Sequence, residues 1–176
     1  MPKFRSLVIL GPTASGKSTL AIHIAKKING EIIGLDSRQS YRFFEIGTAQ
    51  PSKEQLNEIN HYMIGCFDPY KRINAGENAE LTKKYIEKIS YKGKVPIVCG
   101  GSGLYYRALT KGIFNQSSTN NKIRERLDKE YRDDGPNELV KKIKKIDPEY
   151  SKLIHPNNKK RLIRALEVFE ITGKPL

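Results

Sequence analysis

The chain has 176 residues, 38% of them hydrophobic and 29% charged, and a formal net charge of +13. Such a composition supports a packed core of ordinary domain size and argues against disorder. No apolar run approaches the roughly 18 residues of a membrane helix, the N-terminal residues lack the pattern of a secretory signal, and Cys66 and Cys99 form no CxxC pair, which speaks against a zinc knuckle or a disulfide framework.

Leu7, Val8, Ile9 and Leu10 form a continuous apolar run closed by Gly11 and Pro12, the pattern of a strand buried on both faces. Over residues 18–28, Leu20, Ala21, Ile24, Ala25 and Ile28 recur at helical spacing, and Asn29-Gly30 stops that helix. A second strand is expected over 31–35. Pro51-Ser52 opens a short helix reaching about residue 60, and another helix is expected over 78–90. Residues 94–99 read as a third strand, ended by Gly100-Gly101-Ser102-Gly103, although Pro96 suits a central strand poorly. Strands alternating with helices predict an α/β fold with a parallel sheet, of which three strands are visible.

From about residue 121 the texture changes to charged helices. Asp147-Pro148 places a capping residue before a proline at the first helical position. Asn157-Asn158 caps a helix over 159–172, on which Leu162, Ile163, Leu166 and Phe169 share a face and which Gly173 ends. The polar residues 116–121 read as a linker. They divide the chain into an α/β core over residues 1–115 and a basic helical segment over residues 116–176. Within that segment, residues 141–164 alone carry a net charge of +7. This is either a solvated helix face or the footprint of a phosphate backbone.

Gly11, Pro12, Thr13, Ala14, Ser15, Gly16, Lys17 and Ser18 fit the P-loop pattern G-x-x-x-x-G-K-S/T between an expected strand and an expected helix. The loop amides and the helix N-terminus suit a di- or triphosphate. Lys17 adds a point charge, and the Ser18 hydroxyl suits Mg²⁺. A P-loop ATPase carries a further metal-directing Asp at a strand end, whereas the third strand here runs into Cys99-Gly100-Gly101. Asp36 closes the second strand instead. In a parallel sheet it shares the carboxyl edge with the glycine loop, where ligands bind. A carboxylate there can take a proton from a nucleophile attacking beside the phosphates, and a turn-forming aspartate is the competing reading. Gly101-Ser102-Gly103 brings amides and a hydroxyl to the same edge, or forms a plain turn.

The P-loop, Asp36-Ser37-Arg38-Gln39-Ser40-Tyr41-Arg42, Ile46-Gly47-Thr48-Ala49, Gly100-Gly101-Ser102-Gly103-Leu104-Tyr105, Arg161-Leu162-Ile163-Arg164-Ala165-Leu166-Glu167-Val168 and Thr172-Gly173-Lys174-Pro175-Leu176 follow one another along the chain. With His61 and Asp68-Pro69, their order resembles that of the tRNA dimethylallyltransferases over essentially the whole sequence. The resemblance implies a P-loop NTPase-like parallel sheet with an appended basic helical segment. It also implies transfer of a dimethylallyl group from dimethylallyl diphosphate to the exocyclic amine of the adenosine beside the tRNA anticodon, with release of pyrophosphate.

By the same resemblance Asp36 is the base. Ser102, where the family usually has Thr, meets the bridging oxygen of the diphosphate. Lys17, with Mg²⁺ on Ser18, neutralises the leaving group. A hydrogen bond that strengthens as the bridging oxygen gains charge favours the transition state selectively. The resemblance assigns tRNA contacts to Asp36, Ser37, Arg38, Gln39, Ser102, Arg124, Lys160, Arg161, Leu162, Ile163 and Arg164, in a cytoplasmic monomer. His61 matches without a role and is expected to be a hydrogen-bonded structural histidine. Phe43 and Phe44 are expected to pack against the core, with the lining of a prenyl pocket as the alternative.

Ser40, Phe43, Glu45 and Gln50 stand where the family usually has Val, Gly, Asp and Lys, and Tyr62 and Gly65 where a second His and an Asp are common. Leu176 falls inside a family motif, and the family pattern continues past it, so the expectation is a C-terminally truncated member with reduced or absent activity. Two other classes share parts of the pattern. A small-molecule kinase of the shikimate or nucleoside-monophosphate type would have the P-loop and the Asp after strand two but no need of the basic helix. A non-catalytic remnant would bind diphosphate or RNA and turn nothing over.

Overall fold

The computed structural model describes residues 4–112 and 119–175. Four parallel strands, β1 (Leu7–Leu10), β2 (Gly30–Gly34), β3 (His61–Tyr62) and β4 (Val95–Gly100), pair in the order β1-β4-β2-β3. Helices α1 (Lys17–Lys27), α2 (Lys53–Glu58), α3 (Ala75–Tyr91) and α4 (Gly103–Lys111) accompany them, and α5 (Asn121–Asp133), α6 (Pro136–Ile146), α7 (Pro148–Leu153) and α8 (Lys159–Thr172) follow. The chain divides into two compact units, Met1–Ile113 and Phe114–Leu176. The expected boundary at residues 115 and 116, and linker residues 116–118, lie outside the described residues; Asn120 and Asn121 already cap and open α5.

In the first unit the two-residue period of the strands sorts side chains onto two faces. Ile32, Ile97 and Cys99 pack with Ala21, Ile22 and Ala25 of α1. Ile33, Leu35 and Val98 pack on the other face with Ala75, Ala79 and Ile89 of α3 and with Tyr105 and Ala108 of α4. Both central strands are therefore sandwiched between helices, as a parallel sheet requires.

The expectation of a strand buried on both faces fails for β1. Among the described residues it has a sheet neighbour, β4, on one flank only; Leu7, Val8 and Leu10 are exposed, and Ile9 packs on the α1 face. Three expected strands become four, because β3 is only two residues long and too short to show a period. α4, which the sequence reading did not place, follows directly after Ser102.

Pro96 sits in the central strand β4 without penalty. Leu35 N–H donates to Cys99 O (2.8 Å) and Gly11 N–H to Gly100 O (3.4 Å). Parallel bonds alternate sides, so odd-numbered β4 residues bond toward β2 and even-numbered ones toward β1. The donor that Pro96 lacks would point toward β1 before that strand begins, since Leu7 already pairs with Ile97.

Helix starts follow local capping chemistry. Ser52 and Gln55 form a capping box at α2, and Asn74 and Glu77 another at α3. α3 consequently begins three residues earlier than the apolar period alone suggests. In the second unit, Leu127 of α5, Leu139 and Ile143 of α6, and Leu162, Ile163 and Leu166 of α8 form its core. Pro136 and Pro148 stand in the first turns of α6 and α7. Asn158 caps α8 and Gly173 ends it in a left-handed conformation, as expected. No described helix is long and apolar enough to cross a membrane.

Candidate functional site

Three chain segments leave the carboxyl edge of three adjacent parallel strands: the glycine loop after β1, residues 35–39 after β2, and residues 101–103 after β4. β4 lies between β1 and β2, so its exit sits between the other two. Space around Gly101 measures the convergence. A Cβ there would lie 3.0 Å from Gly11 O, and 3.9 Å from both Asp36 Oδ2 and Lys17 Cε. The P-loop lysine and the carboxylate after β2 thus face one small region.

Each segment is held by its own backbone chemistry. Gly16 adopts φ 77°, the left-handed region open to glycine without a Cβ cost, and turns the loop into α1. No side chain caps α1 and no acidic residue occupies its first turn, so its N-terminal amides and dipole remain available to an anion. Lys17 Nζ donates to Pro12 O at 2.8 Å and lies across the loop. Gly100 is required by close approach: a Cβ would fall 2.1 Å from Leu35 O. That approach draws the end of β4 against the end of β2.

Asp36 satisfies both of its sequence readings at once. Its Oδ1 accepts from Arg38 N–H (2.8 Å) and Gln39 N–H (3.2 Å), which is the turn-forming role. Its Oδ2 is the oxygen turned toward Gly101. Ser102 N–H donates to Leu35 O, and Ser102 Oγ accepts from Ser37 N–H at 3.0 Å. The Ser102 hydroxyl hydrogen is not used in that bond. Gln39 is engaged elsewhere, its Nε2 donating to Thr48 O and Ala49 O. Ser37 and Arg38 are exposed.

Ser18, in the first turn of α1, borders a small cleft with Gln39, His61 and Cys99. His61 meets the structural expectation: Nδ1–H donates to Ile59 O at 2.7 Å, and burial holds the imidazole below its ordinary pKa against the opposing pull of that bond. Burial also pushes the Cys99 thiol up, despite nearby Lys17, so Cys99 is a neutral core group. Both cysteines are free thiols. No cluster of three or more His, Cys, Asp or Glu able to hold a metal ion occurs among the described residues.

Phe43 and Phe44 do not pack against the core as expected. Phe43 is 76% exposed and sits at φ 67°, Phe44 is half exposed, and Ile46 beside them is almost wholly exposed. Residue 43, where the resemblance leads to an expectation of glycine, combines a left-handed backbone with an outward side chain. Gln50 donates to Tyr41 O at 2.8 Å. Tyr62 of β3 donates to Glu31 of the neighbouring β2 at 2.8 Å.

In the helical unit, Arg124, Lys160, Ile163 and Arg164, with Asp128 and Lys159, line a concavity of about 580 Å³. Lys160 and Arg161 are exposed. Leu162 is fully buried in the core, so its side chain cannot meet an external partner. Arg124 and Arg164 both bond Glu167, a buried carboxylate that the sequence reading passed over although it stands in the same motif as Arg161 and Arg164. Its (i, i+3) spacing from Arg164 was the available signal.

A family model described as IPP transferase matches residues 39–176. The chain belongs to the IPP transferase family. It is 46% identical over 171 residues to a tRNA dimethylallyltransferase of Acetivibrio thermocellus, covering 97% of this chain and 55% of that protein. Against the tRNA dimethylallyltransferase of Halothermothrix orenii the identity is 44%, over 97% and 52% of the two chains.

Among solved structures it is similar to the full-length tRNA isopentenylpyrophosphate transferase from Bacillus halodurans, with 36% identity, TM-score 0.63 and coverage of 98% and 57%. It is also similar to a eukaryotic dimethylallyltransferase acting on tRNA, with 29% identity, TM-score 0.84 and coverage of 98% and 43%. The chain spans about half the length of the curated relatives it matches. Membership in the IPP transferase family agrees with the α/β parallel-sheet fold and does not favour the small-molecule kinase.

Proposed function

We propose that the chain carries the diphosphate-binding and proton-accepting part of a tRNA dimethylallyltransferase, and that the donor is dimethylallyl diphosphate. One observation carries this reading: Asp36 Oδ2 and Lys17 face one region at the carboxyl edge, beside an uncapped helix N-terminus. The α1 amides and Lys17 grip the diphosphate. The exocyclic nitrogen of adenosine attacks C1 of the dimethylallyl group, and the C1–O bond breaks with its electron pair leaving on pyrophosphate. Because that nitrogen's lone pair is delocalised into the ring, the proton it sheds needs an acceptor, which Asp36 Oδ2 provides. The Ser102 hydroxyl donates to the bridging oxygen as charge develops there.

Mg²⁺ fits the oxygen donors present. It takes few protein ligands and completes its shell from phosphates and water, and Ser18 Oγ, in the first turn of α1, would be a protein ligand to it. When bound, the ion neutralises charge on the departing pyrophosphate. Ser37, Arg38 and Gln39, beside Asp36, meet the target nucleotide; in the helical unit Arg124, Lys160, Arg161 and Arg164 meet the backbone near the anticodon loop, with Ile163 and the Leu162 main chain alongside. A cytoplasmic monomer with no membrane partner completes the reading.

The test is transfer of labelled dimethylallyl from its diphosphate to tRNA. Asp36→Ala lowers transfer by about 10²-fold or more while diphosphate affinity changes little. A chain that binds both ligands and transfers no label is the non-catalytic remnant.

A further inference from the structure

Glu167 lies fully buried in α8 and is nevertheless ionised. Burial alone would raise its pKa, but the arginine and backbone donors around it outweigh that and hold it below the ordinary carboxylate range. Arg124 of α5 donates Nε–H to Oε1 (2.9 Å) and Nη2–H to Oε2 (3.0 Å). Arg164 donates Nη1–H to Oε2 (2.6 Å), and Asn120 N–H donates to Oε1 (2.9 Å). Four donors from two helices and a loop are thus gathered on two oxygens.

Holding α5 to α8 does not require this cluster, because Leu127, Leu162 and Leu166 already pack there, and apolar contacts hold helices together at least as well as a buried ion pair. What a carboxylate adds is orientation. After bonding Glu167, Arg124 keeps its Nη1 and Arg164 its Nε and Nη2 for another partner, and both side chains remain partly exposed at the concavity. Lys159 in the same concavity is neutralised by Asp128 at 2.6 Å. Lys160 enters no ion pair among the described residues. Counting Glu167, the concavity keeps a net charge of +2.

We propose that Glu167 is a positioning residue, fixing the guanidinium groups of Arg124 and Arg164 side by side as a clamp for one phosphodiester of an RNA strand. The proposal rests on the reading above that this unit meets RNA. Two preset guanidinium forks match the oxygens of a phosphate. Because their rotamers are already fixed, less freedom is lost when the anion arrives. Ile163 supplies an apolar wall for the attached sugar.

The test turns on a sign. Glu167→Gln removes a negative charge beside the anion, so charge alone predicts tighter binding, whereas loss of positioning predicts weaker binding. The full chain is titrated with an anticodon stem-loop RNA by fluorescence anisotropy, alongside Glu167→Gln, Arg124→Gln, Arg164→Gln, the Arg124→Gln/Arg164→Gln double variant and that double variant combined with Glu167→Gln. Binding weakens at least fivefold in Glu167→Gln, and Glu167→Gln adds less than twofold once both arginines are replaced. Tighter or unchanged binding in Glu167→Gln, with the arginine variants weakened, overturns the positioning role alone.

Arginine variants that bind like the wild type overturn the RNA reading of this concavity instead. Should Glu167→Gln fail to fold, nuclear magnetic resonance of the arginine side chains in the unaltered protein decides. The Nε–H signals of Arg124 and Arg164 shift on adding RNA if the clamp exists, and stay in place if it does not.

Discussion

At the scale of single residues, position in the sheet decides what each side chain can do. Asp36 forms a turn with one oxygen and faces the P-loop lysine with the other, so replacing it removes the proton acceptor and loosens the turn together. Gly100 has no chemistry of its own, yet a methyl group there would lie 2.1 Å from Leu35 O. Gly100→Ala therefore costs about 3 kcal/mol or more, because a backbone contact relaxes less readily than a side chain. Urea unfolding measures it.

Phe43 holds a left-handed conformation with its ring in solvent. Phe43→Gly relieves that strain and stabilises the fold by about 1 kcal/mol in the same experiment. The P-loop was legible in the sequence because its eight residues act locally. The reason for Gly100 was not, because Leu35 approaches it only through sheet pairing. The outward turn of Phe43 was hidden by its hydrophobicity.

Elements register a second ionic cluster, at the end of the sheet opposite the P-loop. Glu31, on β2 and fully buried, accepts from Asn60, from Tyr62 of β3, from Lys92 after α3 and from Lys94 before β4. Burial opposes its ionisation, but Lys94, Asn60, Tyr62 and Lys92 together lower its pKa to about 2. A depressed carboxylate contributes stability above its unfolded pKa, near 4.5, and loses it as pH falls toward 2. The contribution is on the order of 3 kcal/mol. Circular dichroism of acid unfolding shows this loss between those pH values in the wild type, and Glu31→Gln largely abolishes that part of the pH dependence.

Elements with a long period were readable: α1, β4 and α8 fall within a residue or two of their expected bounds. β3 escaped because two residues carry no period. Exposure of β1 was invisible because strand order, which makes it an edge among the described strands, is a tertiary property.

For the whole molecule, the net charge of +13 proves less available than its total suggests. Within 141–164, where the sequence shows +7, Lys141, Lys142, Lys152, Lys159 and Arg164 are each paired with an acidic side chain. Lys144, Lys145, Lys160 and Arg161 enter no ion pair among the described residues. Counting the four side chains proposed to meet the RNA backbone, Arg124, Lys160, Arg161 and Arg164, affinity for single-stranded RNA falls with salt at a log–log slope of about −3, measured by anisotropy across a salt series.

Charge totals were legible from sequence, and so was the spacing of the (i, i+3) pairs Lys141–Glu138, Lys152–Glu149 and Arg164–Glu167; the pairs Lys142–Glu130 and Lys159–Asp128 were not, since they form across helices. The family assignment and the arrangement at the carboxyl edge meet in one claim, that prenyl chemistry takes place beside Lys17 and Asp36. Its most direct test is the mass of an anticodon stem-loop RNA after incubation with the chain and dimethylallyl diphosphate. With the wild type, part of the RNA gains one dimethylallyl group in place of one hydrogen on adenosine, and with Asp36→Ala about 10²-fold less does. Unmodified RNA with the wild type, or equal modification by both proteins, would contradict it.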